Sequence, residues 1–291
     1  MATNAASKSG KNGVQKAPKK RKKKKGRIFR KSLVVPAEHG SWFWLLVPFF
    51  VGAAVGANVN VAVFLTLTGG LAGFLMRQPA TAWMNIRRGR GRQRDEPLAA
   101  GWTISFGLLA LLSLAGLLAL GHAALLWLLA PPAAMLALYL GVARVQRARV
   151  RNLWLEVAGA AGLALMAPAA YVAASDHLDQ TAWALWGLMA AQNVLSVLYV
   201  RLRLADTHSR PAKRAFVLGS HTLGVLLAAV AAAASAIPWL AVALYGGYLL
   251  RAAWAVSARR PVEDVKRFGF TEVGVETAGG LWIIASYLFF G

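Results

Sequence analysis

No cysteine occurs in the chain, which removes disulfides, thiolate zinc sites, cysteine nucleophiles and iron–sulfur ligation. Charge is scarce as well. Charged residues make up 15% of the 291, against roughly 25% in soluble domains, and acids are the scarcest, 11 beside 33 Lys and Arg. An ordinary soluble enzyme is excluded by that composition. Also missing are the H-E-x-x-H, G-x-S-x-G and G-x-x-x-x-G-K-[ST] patterns, and no spacing of Ser, His and Asp nominates a triad. Zinc-dependent and serine hydrolysis and P-loop phosphate binding therefore have no carrier. The Arg-Gly stretch 87–94 (RRGRGRQR) reads as a basic loop, not a phosphate cradle. No cofactor and no metal site are expected.

What the chain has in excess is apolar side chains, 57% of the total. A membrane crossing needs about 20 such residues, and a window of about 19 finds nine segments: 40–57, 61–83, 98–120, 123–143, 152–174, 180–200, 215–234, 237–256 and 270–290. The expected fold is all-α, a polytopic bundle of nine transmembrane helices joined by short connections. Pro131 and Pro132 fall in the fourth segment, where a kink is tolerated in a membrane helix.

The net charge of +22 suggests nucleic acid until it is located. Residues 1–31 carry 13 Lys and Arg and no acid, including the run KKRKKKK at 19–25. Such a stretch cannot bury apolar surface, so 1–31 is expected to be a disordered basic tail ahead of a transmembrane domain over 32–291. It lacks the short basic and apolar pattern of a cleaved signal. Its natural partner is anionic lipid headgroups, at about 1 kcal/mol per basic residue near the surface; no nucleic acid is expected. Every other Lys and Arg falls near the connections after the second, fourth, sixth and eighth segments, and the odd connections have none. Lys and Arg mark the cytoplasmic side, so the N-terminus is expected inside and the C-terminus outside.

Ionisable residues within spans are costly and point to function by default. Glu38 and His39 open the first segment, Glu156 lies one turn into the fifth, and Glu272 and Glu276 share one helix face at the start of the ninth. With Arg77, Arg201 and Arg251 they are expected in the cytoplasmic third of the bilayer, as one charged layer. Gln192, Asn193, Ser196 and His221 continue the polar positions inward.

The stretches PAEHGSW (36–42), RQP (77–79), LYVR (198–201) and FGFTE (268–272) resemble the bacterial YwiC-like membrane protein family. That likeness implies a multi-pass protein of the bacterial cytoplasmic (inner) membrane and no particular activity. More distantly, the nine-span plan and the run RDEPLAAGWTIS (94–105) resemble the UbiA prenyltransferase superfamily, which implies a UbiA-like bundle. In that superfamily paired aspartates hold magnesium and an allylic diphosphate. Here the stretches 77–85 and 193–204 contain no acid, so the oxygen cage for a magnesium ion is missing and prenyl transfer is not expected.

Three functions fit. The first is binding of an amphiphile with an anionic head in a cytoplasm-facing cavity formed by Glu38, His39, Arg77, Glu156, Asn193, Arg201, Arg251, Glu272 and Glu276. Arginine suits that task, because its planar fork binds carboxylate or phosphate bidentately. The second is proton-coupled transport of a small anion, with Glu156, Glu276 and His221 relaying protons. The third is a structural role as a membrane assembly partner.

Overall fold

The structure is a computed structural model that describes residues 31–34, 39–131, 134 and 153–290. Among these residues there are helices and connecting turns and no strand. After a single helical turn at Lys31–Val34 come α1 (His39–Val55), α2 (Val61–Arg87) and α3 (Glu96–Ala119). Next are α4 (Leu153–Ser175), α5 (Gln180–Thr207), α6 (Arg214–Ala233), α7 (Trp239–Ser257) and α8 (Val265–Phe290). The seven from α2 to α8 are long and apolar enough to cross a membrane, and α1 is apolar but shorter. Eight of the nine expected segments thus coincide with helices. The fourth, 123–143, lies in large part outside the described residues, and so do the tail 1–30 and Glu38.

Local chemistry sets the helix ends. Asn60 caps α2, its side-chain oxygen accepting from the Val63 N–H at 3.0 Å while its amide donates to Ala173 O in α4 at 2.9 Å. Asp179 does the same for α5, accepting from the Ala182 N–H at 3.1 Å and from Tyr171 OH at 3.0 Å. Each carboxylate or amide oxygen thus satisfies a helix N–H that would otherwise lack an acceptor. α4 is broken by a turn at Ala164 and Leu165 into Leu153–Leu163 and Met166–Ser175, and Asp176 ends it at φ 64°, the left-handed conformation common after a helix. Asp176 in turn pairs with His122 Nδ1 at 2.8 Å, joining the turn after α3 to the end of α4.

Gly52 lets α1 lie against α4: a Cβ there would overlap the Ala167 carbonyl. Small residues of this kind allow membrane helices to pack backbone to backbone. α5 is the central element. Its buried residues Leu185, Leu188, Met189, Gln192, Asn193 and Leu195 face α1, α4, α6, α7 and α8. By contrast, many large side chains of α3, α6 and α8, such as Leu111, Leu112, Leu227, Val230 and Phe289, point outward. That surface suits lipid, where outward apolar groups carry no penalty.

Candidate functional site

Two polar side chains and a tyrosine hydroxyl are buried midway along α5, α8 and α7, where a membrane bundle would normally hold only apolar groups. Gln192, Tyr248 and Glu276 line one narrow crevice between α5, α6, α7 and α8, together with Ser196, Tyr199, His221 and Arg251. Free space inside it is on the order of a single water molecule. The Gln192 amide donates to both the backbone carbonyl and Oε1 of Glu276, each at 2.9 Å, so α5 holds the carboxyl of α8 in place. His221 Nδ1 lies 2.8 Å from Val217 O. A carbonyl only accepts, so Nδ1 carries the proton and Nε2 of the neutral ring is an acceptor.

Toward the basic end of the bundle, Arg251 pairs with Glu272 and lies over the Tyr199 ring, 3.8 Å from its centroid. Arg203 donates to Tyr199 OH at 2.8 Å and to Arg260 O at 3.0 Å, flanked by the rings of Trp254 and Phe268, both 5.3 Å away. Stacking of a guanidinium on aromatic faces compensates lost hydration. Behind them Asp206 accepts from Arg214 and from the Arg260 N–H at 3.0 Å. Arg214 also donates to the carbonyls of Ala255, Val256 and Ala258, at 2.9 to 3.2 Å. Those are among the last carbonyls of α7, which have no partner within the helix.

The expected site residues are only partly gathered here. Arg251, Glu272 and Glu276 belong to the crevice and its immediate wall. Glu156 and Arg201 form a separate pair at 2.7 Å between α4 and α5. Asn193 faces the other side of α5, its amide donating to Trp44 O and Ala160 O, both at 3.0 Å, so it ties α1, α4 and α5 together. Arg77 lies in α2 beside the Phe74 ring at 5.9 Å and is not among the crevice residues. His39 begins α1, and its side chain, like Glu38, lies outside the described residues.

Within the expected charged layer, Glu276 sits near the middle of α8 and Glu272 a turn closer to the basic end. Arg201 and Arg251 do not wait with open guanidinium groups, because each already holds a carboxylate. Tyr248, Tyr199 and the Asp206–Arg214 pair escaped the sequence reading: tyrosines on apolar helices look like core, and Asp206 looks like part of a solvated connection. Among the described residues no three His, Cys, Asp or Glu side chains converge as a metal site.

Residues 35–171 match the family model described as YwiC-like protein. Over that stretch the chain is similar to the YwiC-like family. The match covers just under half of the chain and takes in α1 to α3 and most of α4, so it includes Glu156 and Arg77. Every residue lining the crevice lies beyond it. No curated protein and no solved structure matches the chain.

Proposed function

We propose that this YwiC-like protein is a membrane transporter that carries a small anion with a coupled positive charge, using the crevice between α5, α6, α7 and α8. The supporting observation is that Glu276 and His221, near the middle of their spans, and Arg251, nearer the basic end, line one buried crevice. Transporters commonly place substrate and coupling groups near the bilayer midplane, and ionisable groups at that depth are too costly to be incidental. In this reading Arg251 selects the anion, which competes with Glu272 for the guanidinium, and Glu276 with His221 handles the compensating charge. Nine spans, a cytoplasmic N-terminus and all basic connections on the inner side of a bacterial cytoplasmic membrane belong to the same proposal. The crevice then opens toward the cytoplasm.

Proteoliposomes loaded with a pH dye test it. Imposed gradients of chloride, nitrate, phosphate or acetate are expected to drive, in at least one case, a coupled flux read as a pH change or as uptake of an alkali cation, and Arg251→Gln to abolish it. If no anion in the panel moves protons or charge faster than empty liposomes, the reading fails.

A second reading rests on the Arg201–Glu156 pair, which is half exposed at the flank of α4 and α5 and can exchange Glu156 for another anion. There the protein binds the anionic head of an amphiphile without a magnesium–diphosphate site, in keeping with a UbiA-like bundle. Native mass spectrometry of gently purified protein, with and without Arg201→Gln, decides it: a co-purifying lipid lost in the variant supports this reading.

A further inference from the structure

Oxygen atoms without hydrogen-bond partners collect around Glu276. The Gln192 side chain is 1% exposed, and its Oε1 has no partner although its amide is fully used by Glu276. Tyr248 OH is buried and unpartnered too. Both converge over Gly279, where a Cβ would overlap Tyr248 OH and Gln192 Oε1, so the glycine keeps that space open. Ser196 on α5, one turn from Gln192, lines the same crevice. The two unpartnered oxygens in this apolar interior are expensive, and Gln192 Oε1, which can only accept, seeks positive charge or a donor.

The charges point the same way. Lining the crevice are Arg251 from α7 and Glu276 from α8, with neutral His221 from α6, Tyr248 from α7 and Tyr199 from α5; Glu272, one turn from Glu276 on α8, pairs with Arg251 beside it. Arg251 is offset by Glu272, so an ionised Glu276 has no cation of its own among the described residues. A divalent ion would overcorrect one negative charge. We infer that an alkali-metal cation binds in the crevice, held by the carboxylate of Glu276, Gln192 Oε1, Tyr248 OH and the Ser196 hydroxyl. Hard cations take oxygen ligands of this kind, and the free space is that of one small ion or water. This deepens the transport reading by naming the coupled charge, and it stands on separate observations.

The test uses the full chain in mild detergent at fixed pH, followed by tryptophan fluorescence during heating. Ligand binding to the folded state raises the midpoint with the logarithm of ligand concentration. The midpoint is expected to climb as sodium chloride, lithium chloride or potassium chloride replaces choline chloride at constant ionic strength. Tyr248→Phe, which removes a single oxygen and keeps the ring, should weaken or abolish the climb; Gln192→Leu and Gly279→Ala should abolish it. An identical midpoint in choline and in all three alkali salts overturns the inference, as does a response that follows pH alone or survives Gln192→Leu and Tyr248→Phe together. Anion flux without an alkali response removes the cation and leaves the transporter; an alkali response without flux does the reverse.

Discussion

The Arg201–Glu156 and Arg251–Glu272 pairs use the same chemistry in different surroundings. In the first, 38% of the Arg and 34% of the Glu side chain remain exposed; in the second the figures are 24% and 10%, and the Arg also rests on the Tyr199 ring. Exposed pairs are worth about 0–1 kcal/mol, because water and salt compete for both partners. A buried acid that loses its partner costs about 3–5 kcal/mol, since it keeps the desolvation penalty without the compensation. The outer pair can therefore exchange partners cheaply. The inner one is a fixed part of the crevice wall that only a strong competitor opens.

Arg214 takes that contrast to its extreme. Its acid, Asp206, has a side chain only 2% exposed, and its guanidinium also satisfies three carbonyls at the end of α7. Arg214→Leu strands both the acid and the helix end, so a loss of about 5 kcal/mol is expected, the top of the buried-pair range. Thermal unfolding in detergent measures it. Asp206→Asn with Arg214→Leu should recover a large part, and a double variant as unstable as the sum of the two singles breaks the argument.

Next in size is Arg251→Leu, which leaves Glu272 unpaired and should cost about 3 kcal/mol. Adding Glu272→Gln removes the stranded charge, and the double variant is expected to be more stable than Arg251→Leu alone. Independent, additive losses at the two positions would show that the pair is not the unit of stabilisation and would erase the contrast with Arg201.

How far these sites were legible in the sequence follows from where charge can sit. The eight apolar helices among the described residues were readable because about 20 apolar residues in a row have few alternatives, and Glu272 and Glu276 stood out because acids inside spans are rare. The partners were not readable. Nothing in the spacing of Arg201 and Glu156, 45 residues apart, says that they meet, since the pairing depends on how α4 and α5 cross. Tyr248 was hidden for another reason: a tyrosine is apolar in body and polar only at its tip, and Gly279, the residue that leaves room for that tip, is one glycine among 28. Asn193 was read as a ligand because it continues the polar positions inward, yet it and Gln192, as adjacent helix positions, point about 100° apart, so one faces the crevice and the other the joint between α1 and α4.

That division gives a smaller effect between the two extremes. Asn193→Ala removes hydrogen bonds to Trp44 O and Ala160 O, each worth about 1 kcal/mol net. A loss of about 2 kcal/mol is expected, with the alkali response and any anion flux unchanged. Loss of either activity at full stability would move Asn193 back into the site.

The smallest effect belongs to the outer pair. Arg201→Gln frees Glu156 into surroundings it already shares with solvent or headgroups, so the stability change should stay within about 1 kcal/mol. Because partly exposed charges are screened, even that difference should shrink as salt rises from about 0.01 M to 1 M, over which the Debye length falls from about 30 Å to 3 Å. Arg251→Leu should keep most of its deficit over the same range, since little of Glu272 is exposed to be screened. A loss of about 3 kcal/mol or more for Arg201→Gln, insensitive to salt, would mean that the exposure of this pair is filled by something apolar in the membrane. In that event the two pairs differ in depth alone, and Arg201 could no longer trade Glu156 for the anionic head of a lipid.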